Sequence, residues 1–73
     1  MNTDDTYIKL GKNIRKYREK KGLTQEALSE MLDKNSKYIG HIERCERHVS
    51  LNMLIEIANK IDTEIKDLFD FSS

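Results

Sequence analysis

The sequence predicts an all-α fold, a compact set of five short helices forming one domain over residues 1–73. Three observations lead there. The chain has no proline and only three glycines, so little in it interrupts a helix. Its apolar residues recur three and four positions apart, the spacing of a helix face rather than a strand. The breaks between periodic stretches are short and carry helix-capping residues. A chain of 73 residues suits a single domain. Its core is marginal in size, so stability must come from compactness or from self-association.

The first helix is expected from about Thr6 to Lys20, capped by Asp5 or Thr6, with Gly22 just past its end. Leu10, Ile14 and Tyr17 form its buried stripe. The second runs from about Gln25 to Leu32 behind the N-cap Thr24. Glu26 lies in its first turn, where the helix dipole favours an acid, and Ala27, Leu28, Met31 and Leu32 supply the apolar face. The third, from about Ser36 to Arg44, has Asn35 as its expected N-cap. Only Ile39 and Ile42 form its apolar stripe, so it should sit shallowly and show most of its surface. Gly40 lowers its propensity by ~1 kcal/mol relative to alanine and leaves the backbone open to close approach. The fourth runs from about Leu51 to Ile61 behind Ser50, with Leu51, Leu54, Ile57, Ala58 and Ile61 on one face and Ile55 beside it. The last, about Glu64 to Phe69, is capped by Thr63, and its Ile65, Leu68 and Phe69 follow helical spacing.

The formal net charge is zero, but it is unevenly spread. Between Lys9 and Lys21 seven basic residues face Glu19 alone, whereas Leu51 to Ser73 carries five acids and two bases. A polarised surface is expected from that asymmetry. Cys45 is the single cysteine, which excludes an internal disulfide or a cysteine-built zinc site and fits a reducing, cytoplasmic setting. The N-terminus is acidic where a signal peptide would be basic. No run approaches the ~18 apolar residues of a membrane span.

Two short helices joined by a turn of about three residues, over Gln25 to Glu43, form a helix-turn-helix arrangement. Leu28 and Leu32 on the first can meet Ile39 and Ile42 on the second, and small Ser29 lies where they would cross most closely. The second helix then offers its polar face to a major groove.

The run from Leu10 to Phe69 resembles the Cro/C1 (xenobiotic-response-element, XRE) family of helix-turn-helix regulators. The residues that carry the likeness are LGKNIRKYREKKGLTQEAL, YIGHIERCER, SLNMLIEIANKI and IKDLF. The segment IGHIERCERHVSL also resembles the controller proteins of restriction–modification systems. The family resemblance implies a lambda-repressor-like domain, acting as a homodimer on double-stranded DNA at a pseudo-palindromic operator. By position it implies base contacts from Asn35, Ser36, Lys37 and His41. Gln25 would clamp a phosphate, with Lys34, Tyr38, Arg44 and Arg47 as further backbone contacts. Arg18 and Glu43 match a structural ion pair. Ile55, Phe69 and Phe71 are implied for the dimer interface, although the same residues suit a monomer core. The chain departs from the family where Asp33, Cys45 and Asp62 replace turn glycines and where Lys34 replaces an apolar residue. If Cys45 has positive φ it is strained, by ~1 kcal/mol.

Plainer readings compete at several of these positions. Asn35 reads equally as a helix cap, a role compatible with base contact. His41 and His48 are too isolated to suggest metal ligation, and Cys45 reads as an incidental thiol. Tyr7 and Tyr17 suit core or interface better than base stacking. No catalytic constellation and no phosphate-binding glycine loop is present, so neither an enzyme nor a cofactor is expected. The alternative functions are an antitoxin, a restriction–modification controller, or a helix-turn-helix fold serving as a protein adaptor.

Overall fold

Local signals place the helices. The computed structural model describes residues 3–72; residues 1, 2 and 73 of the expected single domain lie outside them. Five helices follow in the expected order: α1 Thr3–Lys20, α2 Gln25–Met31, α3 Tyr38–Glu43, α4 Leu51–Lys60 and α5 Ile65–Leu68. Thr24 and Ser50 cap α2 and α4 as expected, their hydroxyls accepting from Ala27 N at 3.0 Å and Met53 N at 3.1 Å. Helix α1 begins earlier than expected, with Asp4 and Asp5 in its first turn where the dipole favours them. Helix α5 is shorter. Glu64 is its N-cap rather than Thr63, and Thr63 donates instead to Asp67 Oδ2 at 3.3 Å.

The first four helices end alike. Gly22, Asp33, Cys45 and Asp62 all have positive φ, at 79°, 57°, 62° and 54°. In each case the next N–H reaches back to a carbonyl five residues earlier: Leu23 to Arg18, Lys34 to Ser29, Glu46 to His41 and Thr63 to Ala58. This is the Schellman closure, which satisfies orphan carbonyls at a helix end. Glycine adopts it freely, whereas three of these four positions carry a side chain and therefore some strain.

The core gathers Leu10 and Ile14 from α1, Leu28 and Leu32 from α2 and its end, Tyr38, Ile39 and Ile42 from α3, Leu54, Ile57, Ala58 and Ile61 from α4 and its end, and Leu68 from α5. Helix α3 packs between α1 and α2, and α5 bridges α1 and α4. Tyr7, Tyr17, Leu23, Val49, Met53 and Ile65 pack around this centre.

Two residues expected on buried faces are exposed, Met31 (44%) and Leu51 (62%), and so is Phe69 (39%), expected in the core or at a dimer face. Leu28 and Leu32 already fill the side of α2 that faces inward, and Met31 falls beside them with no element over it. Leu51 opens α4 one turn before Leu54. Phe69 stands at the rim of an apolar cleft with Tyr7, Leu10, Val49 and Leu54.

The C-terminal segment packs against basic α1. Lys21 pairs with Asp62, Lys9 Nζ lies 5.8 Å from the Phe71 ring centroid, and Asn13 Nδ2 donates to the carbonyls of Leu68 and Asp70 at 2.9 and 3.0 Å.

Candidate nucleic-acid interface

Sequence pattern alone would make α3 a weak helix. It has six residues, no side-chain N-cap bond, and glycine at its centre. Its neighbours supply what it lacks. Ser29, fully buried on α2, donates from Oγ to Gln25 O at 2.8 Å and accepts from Ile39 N at 3.0 Å. That bond satisfies an N–H of the first turn that no intrahelical carbonyl can reach. The small residue expected at the crossing is thus also a hydrogen-bonding hinge between the two helices.

The other end of α3 is locked from α1. Arg18 Nε and Nη2 donate to the two oxygens of Glu43 at 2.7 and 3.1 Å, and Arg18 Nη1 donates to Leu23 O at 2.8 Å. The side chains are only 8% and 4% exposed. The hydrogen bond to Glu43 raises the Arg18 pKa further, against the cost of burial. Gln25 Nε2 adds a third donor to Glu43 at 2.9 Å. Gly11 makes the approach possible, because a Cβ there would stand 2.8 Å from Glu43 O. No buried side-chain nitrogen or oxygen among the described residues lacks a partner. The expected Arg18–Glu43 pair is therefore present, bidentate and buried.

The remaining expected site residues fall into three groups. Gln25, Ser36, Lys37, His41 and Arg44 line one shallow groove together with Glu26 and Gly40. Lys34 and Arg47 flank the Tyr38 ring, each with its charged end 5.4 Å from the centroid. Asn35 lies just before the groove on the turn. It does not cap the helix: its Oδ1 accepts from Lys37 N at 2.9 Å, and its carbonyl accepts from Tyr38 N at 2.9 Å. An Asn side chain readily bonds the backbone two residues on, and that preference builds a turn here. The helix consequently starts at Tyr38, two residues later than expected, and Asn35, Ser36 and Lys37 form an exposed shoulder ahead of it.

Two further expectations change. Tyr38, expected at phosphate, is a core residue at 9% exposure, so α3 buries a third large side chain and sits less shallowly than Ile39 and Ile42 alone imply. Gly40, expected to admit a partner's close approach, is covered from within the chain. A Cβ there would stand 3.1 Å from both Gln25 Oε1 and Arg44 Nη1.

The C-terminal end of α3 carries a contact that sequence reasoning missed. Glu46 Oε1 lies 2.8 Å from His41 Nδ1 and 3.2 Å from Arg44 Nη2. These hydrogen bonds, Arg44 first, hold the Glu46 carboxyl below its usual range. The signal was available, since a Schellman end at Cys45 brings residue 46 back to residue 41. Gly11 was also missed; a glycine inside a strong helical pattern signals a close crossing.

Of the expected dimer residues, Ile55 on α4 is 43% and Phe69 is 39% exposed. Phe71 is half-buried and meets Phe69 edge-on at 6.2 Å. Tyr7 stacks on His48 at 4.0 Å, tying α1 to the loop after α3. Among the described residues no group of three or more His, Cys, Asp or Glu could hold a metal. No helix among the described residues is long and apolar enough to cross a membrane.

Comparison with known proteins agrees with this geometry. A helix-turn-helix family model matches residues 14–68. Control protein C.SmaI of Serratia marcescens is 41% identical over 59 residues, covering 81% of this chain and 70% of the relative. Control protein C.BamHI of Bacillus amyloliquefaciens is 33% identical over 72 residues, covering 97% and 89%. The crystal structure of the restriction–modification controller protein C.AhdI from Aeromonas hydrophila superposes with a TM-score of 0.80 at 36% identity, covering 86% of this chain and 96% of that one. The chain belongs to the Cro/C1-type helix-turn-helix family of DNA-binding regulators, with control proteins among its relatives.

Proposed function

We propose that the chain is a cytoplasmic transcriptional regulator of the controller type, binding a pseudo-palindromic operator as a homodimer. One observation carries this reading. Ser36, Lys37, His41 and Arg44 share a groove with Gln25 on the exposed side of a helix fixed at both ends. A rigid element that shows a row of hydrogen-bonding side chains is what major-groove reading requires. Asn35, Ser36, Lys37 and His41 contact base edges. Asn35 Oδ1 keeps a second lone pair for a base amine beyond its own turn. Gln25, Lys34, Arg44 and Arg47 contact the phosphate backbone, and Tyr38 acts as the platform under Lys34 and Arg47 rather than as a contact itself.

The second copy docks through Ile55 and Phe69, with neighbouring Leu51 added, since these apolar groups stand exposed. Phe71 supports Phe69 from within the chain. A two-fold dimer sets two α3 helices about one DNA turn apart, with half-sites ~10 bp centre to centre. Likeness to control proteins favours genes of a restriction–modification system as the target.

Selection of bound sequences from random duplexes, followed by salt titration, tests the reading. The expected outcome is an enriched two-fold motif and affinity that falls steeply with salt. Lys37→Ala should relax one base position, and Arg47→Ala should weaken all sequences alike. A pool without enrichment, or salt-insensitive binding, would count against DNA reading. A monomer in sedimentation with operator present would remove the dimer.

A further inference from the structure

The contact at the end of α3 bears on which base its histidine reads. Glu46 is bonded to His41 twice. Its backbone N–H donates to His41 O at 2.8 Å, closing the helix, and its Oε1 lies 2.8 Å from His41 Nδ1. Arg44 donates to that same oxygen, so the carboxylate is held from a second side. An ionised carboxylate only accepts hydrogen bonds. The imidazole hydrogen must therefore sit on Nδ1, which leaves Nε2 of the neutral ring with a lone pair. Nε2 has no hydrogen-bond partner among the described residues, and the ring lies in the groove beside Ser36 and Lys37. A free imidazole in water prefers the opposite tautomer, so Glu46 reverses the default.

We infer that Glu46 is a positioning residue that fixes the hydrogen-bonding sense of His41, making this histidine an acceptor that selects adenine or cytosine on the strand it faces. Those two bases present an exocyclic amine in the major groove, whereas guanine and thymine present acceptors there. The inference rests on α3 being the base-contacting helix. It adds that the specificity of one contact is set by a residue outside the helix that need not touch the DNA.

The tautomer is read directly in the free protein by long-range proton–nitrogen correlation of the imidazole signals. Spectra are taken at about pH 8, where a histidine is neutral, and His41→Ala separates its signals from those of His48. Wild type should show the hydrogen on Nδ1. Glu46→Ala should move it to Nε2, and Glu46→Gln, able to accept through its amide oxygen, should give a mixture. The Glu46 side chain is 53% exposed and its backbone bond survives substitution, so these variants should fold. Random-duplex selection at the same pH supplies the second readout. Wild type should favour adenine or cytosine at one half-site position by roughly three- to tenfold, the yield of a single net hydrogen bond. Glu46→Ala should lose that preference or turn it towards guanine or thymine, with other positions unchanged. A wild-type hydrogen on Nε2, or an unchanged base profile in Glu46→Ala, overturns the inference. A wild-type pool without any motif overturns the DNA-reading function itself, and the free-protein spectrum still decides the tautomer.

Discussion

Helices α2 and α3 are nearly equal in length and belong to one motif, yet they are stabilised in different ways. Helix α2 is written locally. Thr24 caps its start and Glu26 lies in its first turn, while its end closes on Asp33 as that of α3 closes on Cys45. Helix α3 has no side-chain cap bond at its start. Its first turn borrows a hydroxyl from Ser29, and its last turn is gripped by Arg18 and Gln25 through Glu43. A DNA reader gains from the second arrangement. Capping groups on its own surface would occupy polar atoms that the ligand needs, whereas bonds on the buried side leave the outer face free. Helix α3 is thus ordered by its neighbours, and its rigidity depends on the whole domain.

Four measurements would break or sharpen this contrast. The largest effect belongs to Glu43→Ala. Removing one partner of a buried pair leaves an uncompensated charge and costs about 3–5 kcal/mol, read as a lower urea midpoint. Glu19→Ala, which deletes the exposed Arg15 pair, should cost at most about 1 kcal/mol. Comparable losses would mean that the buried grip is not what holds α3.

Ser29→Ala comes next, at about 1–3 kcal/mol, because it strands the Ile39 N–H. Its counterpart Thr24→Ala loses only a local cap, about 1 kcal/mol. Hydrogen exchange should accelerate at Ile39 in the first variant and near Ala27 in the second. Equal costs with unchanged Ile39 exchange would erase the distinction between the helices.

Cys45→Gly should stabilise the chain by up to about 1 kcal/mol. Relief of a left-handed side chain, about 1–2 kcal/mol, is partly offset by the greater freedom of glycine when unfolded, about 0.4–1 kcal/mol. Thermal melting reads the gain, and a lower melting temperature would show that the Cys45 side chain contributes more packing than strain.

The smallest effect is the pH response of Glu46. Its folded carboxyl titrates below the ordinary value of 4.5. The contribution is therefore complete above that value and is lost as pH falls through the lower, folded one. The small stability difference between wild type and Glu46→Gln should persist at neutral pH and vanish in acid. A difference that grew in acid would contradict the pairing.

The sequence made most of the fold legible where signals were local. Thr24, Ser50 and Gly22 marked boundaries that the structure keeps, and Leu10, Ile14, Leu28, Leu54 and Ile57 were read correctly as core. The misplaced features depended on tertiary context. Asn35 has the identity of a cap, but its side chain finds Lys37 N first. Tyr38 has the identity of a surface contact, but α3 turns its ring inward. Of the candidate site, the Arg18–Glu43 pair and the shared groove were foreseeable from position. The Glu46 contact required knowing how α3 ends.

The side chain of Asn13 carries a consequence for how the chain acquires this shape. Its amide bonds carbonyls 55 and 57 residues further on. Closing so long a loop costs entropy that only a nearly complete core can return. A nascent chain that has reached Lys60 already carries both helices of the motif but has no partner for Asn13, and the side of α1 that receives Leu68 is still open to water. The helix-turn-helix precedes the residues around Leu68 in the sequence, yet its final order waits on them.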